Sequence, residues 1–230
     1  ILKIVKEKNV NLFIFSSSAT VYGEPSKLPL TENHSLNPIN VYGKTKLIIE
    51  NMLKDICSND EKFKAVCLRY FNPLGSYKRG LIGEDPSIKS DNLVSQIFNV
   101  IFEKQSYLNI YGSKLNTFDG SAVRDFIHIS DLTYGHISAL NWMKDNQGFH
   151  IFNLGRGSGN SVFEVASLFE KFSKREIKYK FFNQRTGEVP EYYCSNLQAK
   201  KSLNWSPKYN LENMVEDTYL WQLKLRNFTK

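Results

Sequence analysis

Three stretches in the first third of the chain decide the fold class. Residues 11–18 read NLFIFSSS, an apolar run ending in three serines, which is typical of a buried strand and the loop that follows it. Residues 41–56 read VYGKTKLIIENMLKDI, in which apolar side chains recur with a period close to 3.6. Residues 65–71, AVCLRYF, predict a second strand that stops at Asn72 and Pro73. A strand, a helix and a strand in this order indicate a parallel α/β sheet.

Strands and helices continue to alternate after Gly75. We expect helices over residues 93–102 and 162–172, and a helix that starts near Ser130 and Asp131. We expect strands over residues 107–111, 126–129, 149–154 and 177–182. These elements predict one incomplete α/β sheet domain and a smaller α+β region after Gly75.

The composition argues against several classes of protein. Lys and Arg total 30 against 23 Asp and Glu, a net charge of +7, but the basic residues are scattered, which argues against a nucleic-acid partner. The three cysteines and four histidines show no metal-ligand spacing, so we expect no metal. No apolar run approaches the roughly 18 to 20 residues that span a bilayer, and no leader precedes the first strand. We therefore expect a cytoplasmic protein with no membrane partner.

The helix over residues 41–56 carries a tyrosine and a lysine that suit acid–base chemistry. Tyr42 and Lys46 are four residues apart, so both side chains project from one face of the helix. A fixed ammonium group near a tyrosine hydroxyl favours the phenolate, which can act as a general base. Spacing alone favours two solvent-facing residues. The pair follows a strand that ends in hydroxyl side chains, however, and that position indicates a catalytic role.

Six segments carry a resemblance to a known family. They read FIFSSSATVYG (13–23), YGKTKL (42–47), LRYFNP (68–73), DGSAVRDFIH (119–128), FNLG (152–155) and LNW (203–205). In this order they resemble the extended short-chain dehydrogenase/reductases, and most closely the UDP-glucose 4-epimerases, also called UDP-galactose 4-epimerases. The resemblance implies a Rossmann-like, doubly wound parallel sheet, truncated at its N-terminus, with a smaller α+β substrate-binding domain. The sheet domain would take residues 1–74 with 125–155 returning to it, and the UDP-sugar domain mainly residues 75–230.

The resemblance also implies catalytic and cofactor roles. Ser18 resembles the serine that hydrogen-bonds the sugar 4-hydroxyl, and Tyr42 resembles the base that removes its proton. Lys46 resembles the lysine that holds the nicotinamide ribose, and NAD is the implied cofactor, regenerated within each turnover. The implied cofactor-binding residues are Ser16, Tyr42, Lys46, Tyr70 and Phe71.

A larger set resembles the family's UDP-hexose contacts. Arg124 and Arg185 resemble the two arginines of the diphosphate clamp, which suits the forked donors of a guanidinium. Tyr192 stands where the family sets pocket size, and its bulk implies glucose and galactose rather than their N-acetylated forms. The other implied substrate contacts are Ser18, Tyr42, Asn72, Asn92, Leu93, Asn109, Ile110, Tyr111 and Glu188.

The resemblance implies a UDP-glucose 4-epimerase, an NAD-dependent isomerase of galactose metabolism that forms a homodimer when complete. The family's Gly-rich NAD turn is absent from these 230 residues, so we expect them alone to fold poorly and to have little or no activity. Two alternatives stay open, a truncated, inactive UDP-sugar-binding protein and another NAD-dependent sugar-nucleotide epimerase or decarboxylase. Ala19 and Thr20 stand where the related dehydratases carry an Asp-Glu pair, which argues against dehydration.

Overall fold

The computed structural model describes residues 1–85, 92–112, 114–185 and 189–228. Its helices and strands are, in chain order, α1 Leu2–Glu7, β1 Leu12–Ser18, α2 Val41–Asn59, β2 Lys64–Tyr70, β3 Asn72–Leu74, α3 Leu93–Ile101, β4 Leu108–Tyr111, β5 Val123–His128, α4 Ile129–Trp142, β6 Phe149–Leu154, β7 Gly159–Ser161, α5 Val162–Ser173, β8 Tyr179–Phe182, β9 Glu191–Tyr192, α6 Leu197–Leu203 and α7 Leu211–Phe228. A short 3₁₀ turn, Ala19–Val21, follows β1 directly. The chain divides into two compact units.

The first unit is built on a parallel sheet and contains residues 1–71, 131–157 and 193–207. Strand β2 lies in the centre, pairing in parallel with β1 on one side and with β6 on the other. Its residues 65–68, AVCL, are fully buried, as expected for a parallel strand covered on both faces. Helix α2 buries Leu53 against Phe63, Ala65 and Cys67, so apolar packing holds this helix on the sheet.

The second unit contains residues 72–130, 158–192 and 208–230. Strand β5 pairs in parallel with β3 and β9 and antiparallel with β7, and β4 pairs in parallel with β8. Helices α3, α5 and α7 contribute the fully buried Ile97, Phe169 and Met214 to one apolar core. Helix α5 begins with a capping box, in which Ser161 and Glu164 satisfy each other's backbone N–H groups.

The predicted parallel α/β fold is confirmed. Each predicted strand and helix is present, and the helix predicted over residues 41–56 continues to Asn59. Among the described residues, five elements were not predicted, namely β3, β7, β9, α6 and α7, and β3 lies where the preceding strand was expected to stop. Strands of two or three residues are too short to show a periodicity of two, and α6 and α7 mix charged and apolar residues closely.

Apart from shifts of two or three residues, at residues 72–74 and 156–157, the units differ from the expected domain ranges at two places. Residues 125–130 lie in the second unit, and residues 193–207 lie in the first. The second difference follows from long-range hydrogen bonds: Leu30 exchanges backbone bonds with Tyr193 and Ser195 at 2.9 and 2.8 Å. The Trp205 indole also donates to the Asp131 carbonyl at 2.9 Å. These partners are far apart along the chain, so no local pattern predicts the pairing.

Three further features bear on the classes of function that the sequence argued against. In the described part of the chain, no helix has both the length and the apolar character needed to cross a membrane. Among the same residues, His, Cys, Asp and Glu side chains nowhere gather in threes as metal ligands. Cys57, Cys67 and Cys194 are free thiols.

Candidate active site

The serine-rich end of β1 leads straight into the 3₁₀ turn. Ser18 caps this turn: its Oγ accepts hydrogen bonds from the Thr20 backbone N–H at 3.2 Å and from the Thr20 hydroxyl at 2.9 Å. A hydroxyl oxygen accepts two hydrogen bonds and donates one, so Ser18 keeps its own hydrogen for donation. Thr20, which orients Ser18, was not predicted as a site residue, although it lies within the FIFSSSATVYG segment.

Helix α2 approaches the same turn very closely at its N-terminus. Asn40 caps the helix by accepting the Gly43 N–H at 2.7 Å. A Cβ atom at Gly43 would lie 2.6 Å from the Thr20 carbonyl oxygen and 2.9 Å from Cβ of Pro38. Only glycine permits this approach, which places Tyr42, the preceding residue, beside the Ser18–Thr20 turn.

The structure brings the predicted Tyr42–Lys46 pair together. The Lys46 ammonium lies 5.3 Å from the centroid of the Tyr42 ring and donates to the Ser16 carbonyl at 2.8 Å. The same ammonium lies 5.0 Å from the centroid of the Phe15 ring, a contact that the sequence did not indicate. Tyr42 remains 55% exposed, so its side chain is accessible from solvent.

Tyr70, at the end of β2, differs from Tyr42 in its surroundings. Its hydroxyl shares a hydrogen bond with Ser16 Oγ at 2.8 Å and another with Nε2 of His136. His136 donates its Nδ1–H to the Leu132 carbonyl at 2.8 Å. Burial raises the pKa of Tyr70, the Ser16 hydrogen bond lowers it, and the nearby Tyr42 raises it again. Tyr70 is therefore a neutral hydrogen-bonding group at neutral pH. Its partner His136 was not predicted from the sequence.

Phe71, the last implied cofactor residue, is buried. It is 5% exposed, and its backbone N–H is donated to the Leu154 carbonyl at 3.2 Å. Its backbone therefore belongs to the first unit, and its side chain is buried.

In the second unit, two pairs of the implied substrate residues lie together. The Arg185 guanidinium carbon lies 3.8 Å from the centroid of the Tyr111 ring. Arg124 on β5 is the register partner of Tyr192 on β9, and its guanidinium donates to the Val123 and Pro190 carbonyls at 2.8 and 3.2 Å. Both arginines are thus held by neighbouring groups, which reduces the entropy lost when a ligand binds.

The remaining implied contacts divide by exposure. Asn92 caps α3, directly before Leu93, by accepting the Ser95 N–H at 2.8 Å. Along β4, Ile110 is 2% exposed and lies in the core, whereas Asn109 and Tyr111 are half-buried on the other face. Asn72 is exposed on β3. Glu188 lies outside the described residues.

His128 has a structural environment in the second unit. It is fully buried, stacks on Tyr209 with ring centroids 4.0 Å apart, and accepts the Ser130 N–H on Nδ1 at 2.9 Å. Its Nε2–H then faces Asp217 Oδ2 at 3.2 Å. Burial raises the pKa of Asp217, and the hydrogen bond from His128 lowers it. We interpret the pair as a packing and hydrogen-bonding contact that ties α7 to β5.

The part of the chain that contains β1, α2 and β2 matches a protein-family model. The model is that of the NAD dependent epimerase/dehydratase family, and it matches residues 1–155. The chain belongs to this family. Among curated proteins it is 43% identical, over 225 and 223 residues, to the UDP-glucose 4-epimerases of Drosophila melanogaster and Homo sapiens. Each alignment covers 96% of this chain, and the chain spans 64% of the length of either relative.

Solved structures of this family give the same result. The UDP-glucose 4-epimerase of Stenotrophomonas maltophila, with bound NAD and formylated UDP-arabinopyranose, is similar with a TM-score of 0.94 at 32% identity. That match covers 99% of this chain and 68% of the other. The Bifidobacterium longum enzyme, in complex with NAD+ and UDP, has a TM-score of 0.91 at 38% identity and covers 98% and 68%. These likenesses confirm the Rossmann-like α/β fold and the resemblance to UDP-glucose 4-epimerases.

Proposed function

We propose that this protein is a UDP-glucose 4-epimerase, which interconverts UDP-galactose and UDP-glucose. The observation that carries the proposal is the position of the Lys46 ammonium, 5.3 Å from the Tyr42 ring centroid and bonded to the Ser16 carbonyl at 2.8 Å. An exposed tyrosine next to a fixed cation is a base that can take a proton from a sugar hydroxyl.

The proton moves between Tyr42 and the sugar. Lys46 stabilises the phenolate of Tyr42 by its charge, and the phenolate accepts the proton of the sugar 4-hydroxyl. Ser18, whose oxygen already accepts two hydrogen bonds from Thr20, donates its own hydrogen to the same sugar oxygen. After the carbon has been inverted, Tyr42 returns the proton. The residues thus end the turnover in the state in which they began.

The donor set of the first unit fits the nicotinamide end of NAD. Lys46 uses one of its three N–H donors on the Ser16 carbonyl, which leaves donors for the ribose hydroxyls. Tyr70 and Ser16, bonded to each other at 2.8 Å, supply further hydroxyl groups at the carboxyl ends of β1 and β2, where parallel sheets bind ligands. When bound, NAD supplies the reversible oxidation at sugar C4.

In the second unit, the arginines recognise the UDP part of the substrate. Arg185 lies over Tyr111, which holds its guanidinium plane in one orientation. Arg124 is anchored by two backbone carbonyls. We assign the diphosphate to these two arginines, the uracil to Asn109 and Tyr111 with the backbone of Ile110, and further UDP contacts to Asn72, Asn92 and Leu93.

The proposal also covers the cellular location and the oligomeric state of the protein. We place the enzyme in the cytoplasm, in galactose metabolism, and we expect a homodimer. There are two alternative functions. The protein is then either an inactive UDP-sugar-binding protein or another NAD-dependent sugar-nucleotide epimerase or decarboxylase.

An epimerase assay separates these functions. The native-length protein, purified from its source and supplied with NAD, is incubated with UDP-galactose, and UDP-glucose is measured. We expect turnover, and we expect residues 1–230 alone to have little or none. Binding of UDP-galactose without turnover by the native protein would support the inactive binder, and turnover of a UDP-uronate instead would support the other epimerase or decarboxylase.

A further inference from the structure

A cluster of three buried polar side chains joins β1, α2 and β2. Ser17, Glu50 and Arg69 are each no more than 2% exposed. Arg69 donates to the Glu50 carboxylate through Nε at 3.0 Å and through Nη2 at 2.6 Å, and the Ser17 hydroxyl donates to Glu50 Oε1 at 2.5 Å. One carboxylate from the helix therefore binds both strands at once.

The stability of the folded protein does not explain why this cluster contains an ion pair. A buried ion pair pays a large desolvation penalty, and apolar residues of similar volume often stabilise a protein equally well or better. Burial lowers the pKa of Arg69, but its hydrogen bonds with Glu50 and its electrostatic contacts with Tyr22 and Glu50 raise the pKa by more than burial lowers it, so the guanidinium stays charged. Directed hydrogen bonds restrict the position of a helix more sharply than non-directional apolar contacts do.

Every member of the cluster is a close neighbour of a candidate active-site residue. Ser17 lies between Ser16 and Ser18, and Arg69 directly precedes Tyr70. Glu50 lies one helical turn after Lys46, on the same face of α2. Ser17 and Arg69 are register partners in the parallel sheet, so their side chains lie on one face of it.

The apolar contacts of α2 with the sheet are made by Leu53 and the partly buried Ile49, Ile56 and Cys57, all C-terminal to Lys46. Its only buried residues among the described ones are Gly43, Glu50 and Leu53. Ile48 and Met52 are 58% and 47% exposed. Apolar packing therefore holds the later turns of α2 on the sheet, and Glu50 adds directed hydrogen bonds one turn after Lys46.

We infer that Glu50 is a positioning residue, which sets the axial position and rotation of α2 so that Tyr42 and Lys46 face Ser16 and Ser18. Its effect on turnover rests on the proposed function, but its effect on geometry does not. A displacement of about 1 Å at a reacting group can reduce a rate by about 100-fold. The hydrogen bonds from Ser17 and Arg69 to Glu50 therefore affect catalysis indirectly, because they keep α2 and its Tyr42 in place.

The test compares two substitutions in the native-length protein with NAD. Ser17→Ala removes only the hydrogen bond between β1 and Glu50, and Glu50→Asp keeps the charge but shortens the side chain. We expect each to lower kcat for UDP-galactose by about 10- to 100-fold while KM changes by less than about threefold, because binding residues are untouched. Leu53→Ala is the matched control: it lies one turn further along α2, is fully buried and loses apolar packing only.

Melting temperature separates positioning from simple destabilisation. We expect Leu53→Ala to lower the melting temperature at least as much as Ser17→Ala, yet to keep kcat within about threefold below its melting point. A loss of kcat that follows the melting temperature equally in all three variants would overturn the inference.

A structural measurement keeps the inference testable if the proposed function fails. Should the wild-type protein not turn over UDP-galactose, crystal structures of the wild type and Ser17→Ala decide it. We expect the Lys46 Nζ to move beyond about 3.5 Å from the Ser16 carbonyl in the variant, where a hydrogen bond no longer forms. An unchanged Lys46–Ser16 bond and an unmoved α2 would refute the positioning role.

Discussion

The Lys46 ammonium holds the Ser16 carbonyl at 2.8 Å while lying 5.3 Å from the Tyr42 ring centroid. This relationship ties a helix residue to the end of β1 through one hydrogen bond. Lysine can serve both neighbours because its ammonium carries three donors at the end of a flexible side chain. The chemistry that we propose depends on this placement, and so does the first prediction.

Tyr42→Phe should abolish the proton transfer while leaving substrate binding nearly intact. General acid–base catalysis contributes about 100- to 10,000-fold, so we expect kcat for UDP-galactose to fall within that range. Tyr134→Phe is the matched control, because Tyr134 lies in the same unit and is 54% exposed against 55% for Tyr42. Steady-state kinetics of both variants measure the effect. Equal activity of the two would contradict the role of Tyr42 as the base.

Gly43→Ala should destabilise the protein, although alanine is the better helix former. In an exposed helix this change stabilises by about 1 kcal/mol. Here the new Cβ would lie 2.6 Å from the Thr20 carbonyl oxygen, so we expect a loss of about 1 to 3 kcal/mol and a lower kcat. Urea unfolding of this variant and of Lys44→Ala, an exposed neighbour on α2, provides the comparison. A stabilised Gly43→Ala would show that the close approach of α2 to the turn is absent in solution.

Tyr22 should make the stability of the first unit fall at alkaline pH. Its hydroxyl donates to Asn153 Oδ1 at 2.6 Å, and burial raises its pKa to about 12. The folded state therefore holds the proton more tightly than the unfolded state, where the pKa is about 10. The stabilisation is complete below about pH 10 and is lost as the pH rises towards about 12.

The variant Tyr22→Phe isolates this contribution. At neutral pH it should be less stable by about 1 to 2 kcal/mol, because the buried Asn153 oxygen loses its donor. Between about pH 8 and pH 11 the difference from wild type should shrink by on the order of 1 kcal/mol. Urea unfolding across this pH range measures both values, and a difference that stays constant with pH would rule out the ionisation of Tyr22 as the cause.

Tyr192 should restrict the sugar that the enzyme accepts. It is half-buried at β9 and in register with Arg124. We expect its bulk to favour UDP-galactose over UDP-N-acetylgalactosamine. We expect Tyr192→Ser to raise kcat/KM for the N-acetylated substrate by at least about 10-fold. Tyr193→Ser makes the same change one position along the chain and should leave the ratio between the two substrates unaltered. Efficient turnover of the N-acetylated sugar by the wild type would contradict this prediction.

Much of the fold was predictable because its signals are local. The apolar run of β2 and the 3.6-residue period of α2 each lie within one short stretch, and a strand–helix–strand order allows few topologies. The Tyr42–Lys46 pair was predictable for the same reason, since a helix places residues four apart on one face.

The sequence by itself thus determined the sheet, the helix and the pairing of Tyr42 with Lys46, because periodicity along the chain specifies them. Only the tertiary structure decided that Glu50, a charged residue that a helix pattern places at the surface, is 2% exposed. Its burial depends on Ser17 and Arg69, which lie 33 and 19 residues away along the chain. His136 against Tyr70, 66 residues apart, is a second case. Partners at such separations meet only when the sheet forms, and no local pattern encodes which of them will meet.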